Sequence, residues 1–136
     1  MLAAANAADV MKPGDMAAAN TPKGKIGVAW VEGMFNKCDP KSVFDRYVDL
    51  PNYHNHPAAH DGDELAMEQG VFAAVCAKGT RAIIKAVVVQ GDLVVVMASL
   101  IERPEAILSE WFRIKNGKII DHWDMGRKLA DGEHAF

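Results

Sequence analysis

The sequence predicts an α+β fold in which three helices precede a four-stranded antiparallel sheet, and three observations carry that expectation. Up to residue 79 apolar residues recur at spacings of three and four. Beyond it come runs of β-branched residues separated by short polar turns. Finally, Asn116-Gly117 is a two-residue hairpin signal placed just before a closing strand. With 136 residues, 50% of them hydrophobic, the chain can bury one substantial core but not two.

The first twenty residues are rich in alanine but lack the basic start and the continuous apolar stretch of a secretory signal. We expect a mobile or extended N-terminal arm over residues 1–20 and one domain over 21–136. The location expected is cytoplasmic, with a periplasmic one open if a signal was removed before the numbering begins. Thr21-Pro22 reads as an N-cap and first helical residue, and Ile26, Trp30, Val31 and Met34 mark the inner stripe of a helix reaching about Lys37. Asp39-Pro40 opens a second, shorter helix by the same logic, with Val43, Phe44 and Tyr47 inward and an end before Pro51. A third starts near Gly62-Asp63-Glu64, where carboxylates complement the positive helix N-terminus. It runs through Leu65, Val71, Phe72, Val75 and Cys76 to a glycine stop at Gly79.

Strands are expected at residues 80–89, 93–102 and 106–115, followed by the closing strand after Asn116-Gly117. The second of them is apolar on both faces: Leu93, Val95, Met97 and Ile101 on one, Val94, Val96, Ala98 and Leu100 on the other. Three helices can cover only one face of such a sheet. The other is left for a partner, most simply a second copy of the chain, so a homodimer through the sheet is expected. A net charge of −3 offers no basic stripe for phosphate backbones, which argues against nucleic acid. No apolar run approaches the ~20 residues of a membrane helix, so a soluble chain is expected. Cys38 and Cys76 each sit in an apolar helical pattern and read as reduced core thiols rather than a disulfide.

Two clusters carry candidate chemistry. In the closing strand, Lys118-Ile119-Ile120-Asp121-His122-Trp123-Asp124, simple alternation puts Ile120, His122 and Asp124 on one face and Ile119, Asp121, Trp123 and Met125 on the other. An imidazole and a carboxylate then share a face with a buried-type isoleucine. The second cluster, Tyr53-His54-Asn55-His56-Pro57-Ala58-Ala59-His60-Asp61-Gly62, holds three of the five histidines. A metal site from His54 and His56, completed by His122 or Asp124, is one reading of it. The spacing matches no metal signature, and a polar loop with His56 and His60 solvated is the reading preferred here. His54, after Tyr53 at the end of a short strand, is expected to aim into the core.

Tyr53-His54-Asn55 and Asp61-Gly62 before the third helix, with Phe112-Arg113-Ile114 through Gly117-Lys118-Ile119-Ile120-Asp121-His122-Trp123-Asp124 at the close, resemble the SnoaL-like polyketide cyclases. These belong to the nuclear transport factor 2-like superfamily, and the likeness spans about residues 22–128. It implies a cone-shaped, cystatin-like curved antiparallel sheet wrapped around the three N-terminal helices, enclosing one apolar cavity, usually in a dimer. It further implies a general acid/base enzyme acting on a small hydrophobic carbonyl compound, by aldol-type cyclisation or isomerisation, without metal or organic cofactor. Asp124, His122 and His54 are then the catalytic candidates, and Tyr53, Trp30, Met97 and Trp111 the candidates to line the substrate cavity. Where the family commonly has His-Asn-Pro, this chain has His54-Asn55-His56-Pro57, and Met97 stands where a histidine is often found. A non-catalytic protein binding an apolar small molecule in the same fold is the alternative.

Overall fold

Thr21 and Pro22 start the first helix for separate reasons. The Thr21 hydroxyl accepts from the Gly24 amide at 3.1 Å, and Pro22 fills a position whose amide would have no helical partner. The computed structural model of the protein describes residues 16–56, 64–101 and 105–134. Within them α1 spans Pro22–Val31 and continues into a π-helical turn, Glu32–Asn36. Helix α2 spans Pro40–Tyr47, with the Asp39 carboxylate accepting from the Ser42 amide at 3.2 Å. A two-residue strand β1, His54–Asn55, precedes helix α3, Glu64–Ala77. Four long strands complete the chain: β2 Arg81–Gln90, β3 Leu93–Ile101, β4 Ala106–Lys115 and β5 Lys118–Lys128. The expected start of the third helix at Gly62-Asp63, the loop residues Pro57, His60 and Asp61, and the turn at Glu102-Arg103 lie outside the described residues.

The sheet order is β1-β5-β4-β3-β2. Strands β2 to β5 form the expected antiparallel meander, and β1 adds a fifth, parallel strand that sets His54 beside Asp121 and Asn55 beside His122. The hairpin between β4 and β5 turns on Asn116 and Gly117, at φ of 51° and 72°, the left-handed pair that a tight primed turn requires. Helix α1 lies against the inner face, where Trp30, Val31 and Met34 meet Val94, Val96 and Phe112, all without exposure. Burying each of the larger apolar side chains contributes about 1.5–3 kcal/mol. Gly27 permits this close approach, because a β-carbon there would come within 2.8 Å of Val94 Cγ1. The π turn is tied to the sheet by Asn36, whose amide group donates to the Ala82 carbonyl and accepts from its amide, both at 2.9 Å.

Two expectations are corrected by the structure. Cys38 and Cys76 are joined as a disulfide, with Cα atoms 5.9 Å apart, rather than standing as separate thiols. Cys38 lies in the connection between the π turn and α2, which packs beside the end of α3 that carries Cys76, a proximity that sequence spacing alone does not reveal. Ile120 does not share the face of His122: Ile114 pairs with Ile119 but Arg113 with Asp121, so Ile120 is the extra residue of a β-bulge. The bulge resets the alternation, and Ile119 and His122 both point inward. At the N-terminal side, Met16 and Ala19 are buried in the core, so the packed chain begins ahead of Thr21.

Candidate active site

Along β4 the inner face carries Ala106, Leu108, Glu110, Phe112 and Ile114, which makes Glu110 the one charged group on an otherwise apolar stripe. Directly across from Glu110 on β5 stands Asp124, and across from Phe112 stands His122. The topology therefore brings two carboxylates and an imidazole into adjoining positions on one face. His122 Nε2 lies 2.5 Å from Glu110 Oε2, and the two side chains are each 1% exposed. The other ring nitrogen, Nδ1, is 3.3 Å from the buried Tyr53 hydroxyl. Trp30 and Phe112 flank the imidazole at centroid distances of 4.7 and 5.4 Å.

An isolated carboxylate is costly to bury, and a hydrogen-bonded imidazole offsets that cost. With Nε2–H donating to Glu110, Nδ1 accepts the Tyr53 hydroxyl proton. With both nitrogens protonated, the Tyr53 oxygen accepts instead. The Tyr53 hydroxyl can thus meet Nδ1 in either form of the ring, as donor or as acceptor. Asp124 is exposed, yet its carboxylate joins the Glu110 and His122 donor atoms in a cluster whose members all lie within 4.8 Å of one another. Beyond residue 122, β5 has no strand pairing on its outer side among the described residues, so Asp124 sits where the site opens to solvent. The Trp30 indole N–H, fully buried, has no acceptor among the described residues.

Of the residues nominated from sequence, Asp124, His122, Tyr53 and Trp30 come together here. His54, Met97 and Trp111 do not. In β1 it is Asn55 that is buried and His54 that is exposed, because the pairing with β5 fixes the opposite phase to the one expected. Met97 and Trp111 project from the outer face, where Trp111 pairs across the strands with Trp123. There His56 stacks on Trp123 at 4.4 Å and 6° and meets Asp121 at 2.7 Å, and Arg113 reaches the same carboxylate at 3.3 Å. An outer groove of about 460 Å³ runs between Leu93, Trp111, Trp123 and Met125 to the edge at Asp124. Sequence reasoning missed Glu110. Its signal was a lone acidic residue at an inward position of an alternating apolar strand.

Helices on one face of a curved, mostly antiparallel sheet, with polar groups gathered under them, define the nuclear transport factor 2-like α+β cone, and the chain has this fold, as the SnoaL-like polyketide cyclases do. TsrD from Streptomyces laurentii is similar over 79% of this chain and 89% of its own, at 16% identity and a TM-score of 0.63. IdmH, a proposed polyketide cyclase from Streptomyces antibioticus, matches over 76% of this chain and 91% of its own, at 19% identity and a TM-score of 0.61. A nuclear transport factor 2-like protein of unknown function from Cytophaga hutchinsonii covers 79% and 90%, at 9% identity and a TM-score of 0.57. No family sequence model matches the chain, and no curated protein matches it by sequence.

Proposed function

We propose that the protein is a SnoaL-like small-molecule enzyme in which Asp124 moves a proton at the carbon beside the carbonyl of a hydrophobic substrate. The observation that carries this reading is an accessible carboxylate held against a buried, hydrogen-bonded His122–Glu110 pair on an apolar face. Asp124 takes the proton from carbon, leaving an enolate. In aldol-type closure the enolate carbon attacks a second carbonyl, whose oxygen then takes up a proton. In isomerisation Asp124 returns the proton to a different carbon. His122 and Glu110 are positioning residues, since both imidazole nitrogens are already engaged by Tyr53 and Glu110. Trp30, fully buried, packs against the His122 ring and helps to fix its position. His54, exposed on β1, has no part in this step.

The reading is tested by solvent exchange. In deuterated buffer the wild-type protein should speed deuterium uptake next to the carbonyl of small hydrophobic ketones, followed by proton NMR. Asp124→Asn should lower that rate by roughly 10²–10⁴-fold. Uptake no faster than in buffer, together with retained ketone binding, would favour a carrier of apolar ligands. The complete burial of His122 and Glu110 is the observation on that side.

The outer face suits a second copy of the chain. Val88, Ile101 and Met125 are each more than half exposed there, beside Trp111 and Trp123. Tryptophan, methionine and arginine are the residue types that concentrate in buried interface centres. The Cys38–Cys76 disulfide supports an oxidising location such as the periplasm over the cytoplasm first expected.

A further inference from the structure

From the juxtaposition of Glu110, His122 and Asp124, whose ligand atoms all lie within 4.8 Å of one another, we infer a binding site for one divalent transition cation of the zinc type. Glu110 and Asp124 are direct partners on neighbouring strands and face the same side. Like charges in that relation repel unless a positive charge lies beside them. A cation bound between them supplies that charge. The histidine is arranged as a ligating histidine usually is: Nε2 faces the carboxylates while Nδ1 meets the Tyr53 hydroxyl at 3.3 Å, the outer hydrogen bond that fixes the ring.

The dimensions fit with small movements. Donor atoms bound at about 2.0–2.2 Å from one metal lie roughly 3–4 Å apart. The Glu110–His122 contact must open from 2.5 Å toward the lower figure, and the exposed Asp124 side chain must close in from within 4.8 Å. One nitrogen and two carboxylate oxygens suit zinc, manganese or ferrous iron better than calcium, which takes six to eight oxygens. Three protein ligands leave a further position for water or substrate, and Asp124 at the open edge of β5 gives the ion its way in. A ligating Asp124 is no longer a free base, so zinc and proton transfer by Asp124 exclude one another.

The test is isothermal titration of the tag-free, chelator-treated full chain with zinc chloride. The expected result is one ion per chain, with a dissociation constant in the micromolar range or below. Asp124→Asn, at an exposed position, should weaken binding at least tenfold, Glu110→Gln should weaken it further, and His56→Ala should leave it unchanged. No binding up to millimolar zinc, binding indifferent to Asp124→Asn, or binding lost in His56→Ala would each overturn the inference. Deuterium exchange by the metal-free protein judges the proton-transfer reading separately, whichever way the titration falls.

Discussion

Glu110 is a buried carboxylate of the inner face, and His122 is its partner. Replacing it with alanine leaves His122 buried with one nitrogen deprived of its partner, and breaking a buried pair this way costs about 3–5 kcal/mol. Urea unfolding should show that loss. A loss under 1 kcal/mol would mean that the pair contributes little. An exposed contact makes the contrasting case. Arg127 and Glu133 form a two-pronged ion pair, and that hydrogen bonding, helped by the Ala130 amide, lowers the Glu133 carboxyl from 4.5 to about 2. The sign follows from the lowered folded-state value: the contribution is complete above about pH 4.5 and disappears as pH falls through about 2. Carbon-detected NMR of the Glu133 carboxyl should give a midpoint near the lower value, and Arg127→Ala should bring it back toward 4.5. At this scale Asp124, His122, Tyr53 and Trp30 were legible because each is polar or aromatic at an inward phase. Glu110 was overlooked because a single glutamate in a strand resembles an ordinary solvated position until the burial of its neighbours is known.

At the scale of elements, the helices and long strands follow sequence grammar closely. Proline after a capping residue sets the starts of α1 and α2, and glycine-bearing turns precede β2 and join β2 to β3 and β4 to β5. What the grammar does not encode is register. Ile119 and Ile120 are both apolar, so nothing local says which is the extra residue, and the bulge becomes visible only from the partner strand. The same holds for β1, where two residues are too few to display a period and pairing with β5 decides which one is buried. Long-range joining of helices is hidden too. The disulfide links residues 38 apart, tying the chain beyond the π turn to the end of α3. Closing a loop of that length should stabilise the fold by about 4 kcal/mol, mainly by restricting the unfolded chain. The urea midpoint of the reduced protein should fall accordingly, and an unchanged midpoint would show that the helices hold their places without the bond.

For the whole molecule, the α+β cone was legible from the order of its elements, whereas the depth of the site and the fate of the outer face depend on what packs against them. Sedimentation velocity at micromolar concentration should find a dimer, and Trp123→Glu, on the outer face, should shift it to monomer while leaving the inner site folded. A wild-type monomer would mean that the outer face meets something other than a copy of this chain. The placement of the tryptophans gives such experiments a built-in optical readout. Trp30 lies inside against His122, whereas Trp111 and Trp123 lie outside, the latter beneath His56. Emission from the two sides can be separated by single Trp→Phe changes. Filling of the inner face and association through the outer one then become two distinguishable colours of light from one unlabelled protein.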